Sequence, residues 1–177
     1  MRRFAVLGNP IEHSKSPEIH RAFAESCRHE IDYQKVLVEA GDFDRVVTEF
    51  FASGGIGLNV TAPFKGEAFA LAEVHTEDAV DAKAVNTLWR DDEGRICGHT
   101  TDGSGLALDL EVNLGWRLAG ANILFLGAGG AMRSILGPLC DRAPASIHVA
   151  NRTPERAEAL VALFKSRGSL TAGSLTA

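Results

Sequence analysis

The stretch Ile123-Leu-Phe-Leu-Gly-Ala-Gly-Gly-Ala131 constrains the fold of this chain more than any other. Its apolar start reads as a buried strand, and the glycines fall where a helical pattern begins. A second apolar run, Ser146–Ala150, follows within about thirty residues, the span of a βαβ unit. Strand, glycine turn, helix and strand in that order are the start of a dinucleotide-binding sheet. Gly127 permits the tight turn, and Gly129 lets the backbone approach a pyrophosphate. The helix N-terminus then offers unpaired N–H groups to phosphate. Met132 stands where a third glycine or alanine is usual, so close helix–strand packing is expected to fall to Gly130 and Ala131.

The end of the second strand separates two cofactors. An NAD site places an acid there to accept from the ribose 2′-hydroxyl. This chain has Asn151-Arg152-Thr153 followed by Arg156, with no acid before Glu155. Arg152 and Arg156 form a fork suited to a 2′-phosphate, and Thr153 adds a hydroxyl donor. The pattern favours NADP. The bland alternative is a pair of solvated arginines.

Composition excludes several other classes. With 18 Lys and Arg against 23 Asp and Glu, the net charge is −5, and no basic stripe exists to neutralise nucleic-acid phosphates. No window approaches the ~18 apolar residues of a membrane span. The apolar run after Met1-Arg2-Arg3 stops at Gly8-Asn9-Pro10, too soon for a signal peptide. Cys27, Cys97 and Cys140 are odd in number and widely spaced, which favours a reduced, cytoplasmic setting.

Ahead of the glycine turn, the pattern alternates strands with helices. Strands are expected at Arg3–Leu7, Tyr33–Val38, Ile56–Val60, Ala84–Trp89 and Arg95–Gly98. Helices are expected after Pro17, capped by Ser16, and over Phe43–Ala52, capped by Asp42. A single short helix is expected after Lys65. The expected class is α/β: a substrate domain with a mostly parallel sheet over 1–101, then the first half of a Rossmann-type domain over 102–177. Only two strands are expected after Asn122, which leaves a sheet edge uncovered and suggests an incomplete domain. The repeated Gly168-Ser-Leu-Thr-Ala172 and Gly173-Ser-Leu-Thr-Ala177 read as a tail, an artefact or a cut loop.

In open α/β sheets, ligands bind beyond the carboxyl ends of the strands. Ser14, Ser16, Asn59, Thr61, Lys65, Asn86, Thr101 and Asp102 all fall at strand ends or turns. Singly, each has a plain reading as a cap, a turn former or a surface charge. Together they lie in motifs: Gly8-Asn-Pro-Ile-Glu-His-Ser-Lys-Ser-Pro17, Gly57-Leu-Asn-Val-Thr-Ala-Pro-Phe-Lys65, Ala84-Val-Asn-Thr87 and Thr101-Asp-Gly103. With Gly127-Ala-Gly-Gly-Ala131 and Asn151-Arg-Thr153, this set closely resembles the shikimate dehydrogenase family in order and spacing.

The resemblance implies reversible, NADPH-dependent reduction of 3-dehydroshikimate to shikimate, a step of chorismate and aromatic amino acid biosynthesis. It implies that Ser14 and Ser16 bind the substrate carboxylate, and that Asn59, Thr61, Asn86 and Asp102 hold the ring hydroxyls. Lys65 and Asp102 would be the catalytic pair. Gly127, Ala128, Gly129, Gly130, Ala131, Asn151, Arg152, Thr153 and Arg156 would hold NADP. The implied partner is a small molecule, with no nucleic acid, membrane or metal; a homodimer is compatible with it. Thr100 replaces the family's usual Asn before Thr-Asp-Gly, keeping a hydroxyl but losing an amide. Family members run on well past this length, so activity of the chain alone is not expected. Two other readings stay open: a quinate or NAD-using relative, and an inactive shikimate-binding module.

Overall fold

A computed structural model describes residues 1–175. They form two compact units, Met1–Val80 with Ala84–Thr100, and Asp81–Lys83 with the residues from Thr101 onward. The fold class is α/β.

The first unit runs β1 (Arg2–Gly8), α1 (Ser16–Ser26), β2 (Ile31–Leu37), α2 (Phe43–Ala52), β3 (Gly55–Val60), α3 (Lys65–Leu71), β4 (Val74–His75), α4 (Glu77–Ala82), β5 (Thr87–Arg90) and β6 (Ile96–His99). The last residues of α4 group with the second unit. The strand order is β2-β1-β3-β5-β6-β4. β1 pairs in parallel with β2 and β3, and β4 with β6; β5 runs antiparallel to both β3 and β6. β1 is central, which explains its unbroken apolar run: Ala5, Val6 and Leu7 are buried on both faces. On one face, Ala5, Leu7, Leu58, Val60 and Leu88 pack with Phe43, Val47 and Phe51, the helical stripe of α2. On the other, Val6, Ile11 and Tyr33 form a smaller cluster with Phe4 and Ile31.

Neither expected side-chain capping bond forms. Lys15, not Ser16, is the N-cap of α1, and Ser16 is its first residue. Asp42 occupies the N-cap of α2 but makes no capping bond; its carboxylate instead pairs with Arg45 at 2.9 Å. β4 and α4 also differ from the single short helix expected. A two-residue strand is too short to show a period in sequence.

The second unit runs α5 (Asp102–Leu108), a π-helical turn (Asp109–Asn113), β7 (Asn122–Leu126), α6 (Gly130–Cys140), β8 (Ser146–Asn151), α7 (Pro154–Phe164), a short 3-10 turn and β9 (Leu170–Ser174). Its sheet is wholly parallel, in the order β7-β8-β9. Three strands therefore follow Thr101, not the two expected. β9 uses half of the repeated tail: Leu170 and Ala172 pack on the core, and Thr171 meets His148 Nδ1 at 2.8 Å. Small and polar residues hid it, because register against β8 rather than intrinsic pattern makes it a strand. The second copy of the repeat ends in residues 176–177, outside the described residues.

Candidate functional site

In the first unit, the polar residues singled out from sequence gather at one edge of the sheet. β1 and β3 both end there, and the loop after β1 carries Ser14 and Ser16. The Ser14 hydroxyl donates to Ser16 Oγ at 3.2 Å and accepts the Ser16 amide at 3.3 Å. Asn59 lies on β3, one residue from its end. Asn86 precedes β5 rather than lying within a strand. Because β5 is antiparallel to β3, the start of β5 lies beside the end of β3, with Thr87 opposite Asn59.

Thr61 ties its loop to β1 by donating its amide to the Leu7 carbonyl at 2.9 Å. Its methyl sits so close to Gly8 that a Cβ there would lie 2.5 Å away, so this approach requires glycine. Lys65 is the first residue of α3, and its carbonyl accepts the Val85 amide at 2.9 Å. That bond links the lysine's helix to the loop bearing Asn86.

Three residues that sequence reasoning did not single out complete this edge. Tyr33, 1% exposed, donates its hydroxyl to Asn59 Oδ1 at 2.6 Å. Asn59 Nδ2 donates to Thr87 Oγ1 at 3.2 Å and to the Asn86 carbonyl at 3.3 Å. Thr87 in turn donates to Asn86 Oδ1 at 2.9 Å. His20 stacks on the Tyr33 ring with centroids 4.5 Å apart, and its Nδ1 meets the Ser16 carbonyl at 2.9 Å. Burial pushes the Tyr33 phenol well above its ordinary value, and a hydrogen bond with Ser16 pulls the other way. Tyr33 is the chain's only tyrosine. A signal was present: a tyrosine facing inward from a strand needs a partner for its hydroxyl.

Thr100 is 1% exposed. Its hydroxyl has no hydrogen-bond partner among the described residues. A buried hydroxyl left without a partner carries a desolvation cost of about 1–3 kcal/mol.

In the second unit, Asp102 opens α5, with Thr101 at the N-cap making no side-chain capping bond. A carboxylate in a first turn is favoured by the helix dipole. A Cβ on the next residue, Gly103, would collide with the Ser134 carbonyl of α6. That glycine sets the approach of α5 to α6, so Asp102 is fixed relative to the helix that follows the glycine turn. Close packing on α6 thus falls to Gly103 and also to Gly137, where a Cβ would meet Arg167 Nη1 at 2.8 Å. It does not fall to Gly130, which has open space, or to Ala131, which is exposed. Met132 is buried in the core instead.

The glycine turn itself has two kinds of glycine. Gly127 has φ +119, a conformation L side chains rarely adopt. Gly129, the N-cap of α6, has φ −82, and a Cβ at Gly129 or Gly130 would meet nothing within 4 Å. The protein's own packing does not call for glycine at either position. Open space over a helix N-terminus with no capping side chain and no acid in its first turn fits a phosphate group. Asn151 holds the turn: its Oδ1 accepts the Ala128 amide at 3.2 Å, and its Nδ2 donates to the Thr153 carbonyl at 2.8 Å. Arg152, Thr153 and Arg156 are exposed at the carboxyl end of β8 and the first turn of α7.

No group of three or more His, Cys, Asp or Glu suited to a metal occurs among the described residues. No helix among them is long and apolar enough to cross a membrane.

Comparison with known proteins agrees along the whole chain. Residues 6–88 match the shikimate dehydrogenase substrate binding domain, and residues 110–174 match the shikimate / quinate 5-dehydrogenase family. The NADP(+) shikimate dehydrogenase of Alkalilimnicola ehrlichii is 52% identical over 170 residues, covering 96% of this chain and 63% of that protein. The same enzyme of Chromobacterium violaceum is 49% identical, with 96% of this chain and 62% of its own length covered. Among solved structures, an Ael1 enzyme from Pseudomonas putida superposes with a TM-score of 0.93 at 40% identity, covering 98% of this chain and 64% of that one. The shikimate 5-dehydrogenase of Thermus thermophilus, solved with NADP(H) and shikimate, gives 0.85 at 35% identity, covering 96% and 62%. The chain thus spans a little over three fifths of the length of these relatives.

Proposed function

Because the chain belongs to the shikimate dehydrogenase family, we propose that it serves the reversible reduction of 3-dehydroshikimate to shikimate with NADPH. The observation that carries this reading is the cradle of Ser14, Ser16, Asn59 and Asn86 at one edge of the first sheet. Paired serine hydroxyls suit a carboxylate, and asparagine amides suit ring hydroxyls. Thr61 and Asp102 are proposed as further hydroxyl ligands.

Reducing a ketone needs a hydride on carbon and a proton on oxygen. The nicotinamide of NADPH supplies the hydride when bound. Lys65 is proposed to give its proton to the carbonyl oxygen while its charge stabilises the developing alkoxide. In the reverse direction, the lysine takes that proton back. Asp102 is proposed as the second member of the catalytic pair, its carboxylate accepting a hydrogen bond from a substrate hydroxyl.

Gly127, Ala128, Gly129, Gly130 and Ala131, with the first turn of α6, are proposed to hold the pyrophosphate. Asn151, Thr153, Arg152 and Arg156 are proposed to shape and bind the adenosine end, the two guanidiniums meeting the 2′-phosphate. A reduced, cytoplasmic setting is part of the proposal, supported by the free thiols of Cys27, Cys97 and Cys140.

The test is shikimate-dependent reduction of NADP⁺, followed as NADPH absorbance, beside calorimetric titration of shikimate. Turnover with shikimate and little with quinate supports the proposal. Equal rates with both overturn the choice of shikimate. Binding of shikimate without turnover reduces the protein to a ligand-binding module.

A further inference from the structure

The cradle holds a hydrogen-bond chain with only one consistent direction. Asn59 Oδ1 only accepts, so Tyr33 donates to it, at 2.6 Å. Asn59 Nδ2 only donates, so Thr87 Oγ1 accepts, at 3.2 Å. The Thr87 hydroxyl proton is then left to donate to Asn86 Oδ1, at 2.9 Å. Each link fixes the sense of the next.

We propose that Tyr33 is a positioning residue for shikimate binding, its hydroxyl heading a one-way relay through Asn59 and Thr87 that fixes the side-chain amides of Asn59 and Asn86. Buried beneath the cradle, Tyr33 acts through these residues. A carboxamide is nearly symmetric in shape, so its two flipped orientations differ mainly in hydrogen bonding. Flipping Asn59 would set its oxygen against the Asn86 carbonyl, a repulsive contact, and would take from the Tyr33 hydroxyl the acceptor it now has. With both partners in place, one orientation prevails. The ring is itself clamped, since His20 stacks on it and is held by the Ser16 carbonyl. The serine end of the cradle and its asparagine end are thereby tied to one buried side chain. Burial raises the phenol above its ordinary value, which favours the protonated form that donates to Asn59.

The inference rests on the reading of this cradle as a shikimate site. Its test is calorimetric titration of shikimate into the full chain and four variants: Tyr33→Phe, Asn59→Ala, the two combined, and Thr87→Val. Tyr33→Phe keeps the ring and its stacking. It is expected to weaken shikimate about tenfold, the scale of one hydrogen bond lost with its buried acceptor left unpaired. In the Asn59→Ala background, the same change is expected to cost nothing further, because the residue it acts through is gone. Thr87→Val is expected to weaken binding by a similar factor, from the other end of the relay. If the unaltered chain binds shikimate and Tyr33→Phe binds equally well, the proposal is overturned. A tenfold loss that persists in the Asn59→Ala background overturns it too, since a general structural role would do that. No binding by the unaltered chain overturns the site reading, and this proposal with it.

Discussion

The candidate sites of the two units are built from different materials. The first unit's cradle is made of side chains bonded to one another, and the links from Tyr33 to Asn59 and from Asn59 to Thr87 each join residues far apart in sequence. The second unit's turn is made mainly of backbone, with glycines where side chains would stand and a helix end aimed at the open space. A small polyhydroxylated acid must be told apart from close analogues, which calls for fixed donors and acceptors. A pyrophosphate is recognised by charge and by close approach, which calls for bare N–H groups.

Lys65→Ala gives the largest expected effect and tests the side-chain chemistry of the first unit. Turnover of shikimate should fall by about 10²-fold or more, with a smaller change in KM. An unchanged kcat would remove Lys65 from the mechanism. The glycine turn comes next. Gly127→Ala forces a side chain into φ +119 and should lower stability by about 1–3 kcal/mol in thermal or urea unfolding. Gly129→Ala should leave stability within about 0.5 kcal/mol while weakening NADP⁺ binding. If the two variants unfold alike, the distinction between a glycine kept for the chain and one kept for the ligand is lost. Arg152→Ala is expected to have the smallest effect, because the group is exposed and screened. It should weaken NADPH about fivefold and leave NADH unchanged. Equal loss for both cofactors would contradict a 2′-phosphate role.

The sequence was legible wherever the physics is local. Phe43, Val46, Val47 and Phe50 marked the apolar stripe of α2 through their spacing, and that helix spans the residues its pattern predicts, although Phe51 is buried where Phe50 and Val46 are only partly so. The glycine turn was readable because strand, turn and helix are contiguous. β9 was not, since its small and polar residues become a strand only by pairing with β8. Close helix–strand packing does not rest on Gly130 or Ala131, which face open space and solvent; the tight contact on α6 is between helices, at Gly103. Tyr33 looked like one more strand residue, because nothing near it in sequence shows that β1 lies between β2 and β3.

By itself, then, the sequence determined the α/β class, the nucleotide turn and the motif residues of both units, since each is written in neighbouring residues. Tertiary structure alone decided how those residues are used. An antiparallel β5 brings Asn86 to the end of β3, although no feature of Ala84-Val-Asn-Thr87 states its direction. Sheet order and register then set Tyr33 against Asn59, 26 residues apart in the chain. Hydrogen bonds act over about 3 Å of space, whatever the distance in sequence. The glycine turn carries its chemistry in its own backbone, whereas the cradle acquires its chemistry only when the sheet forms.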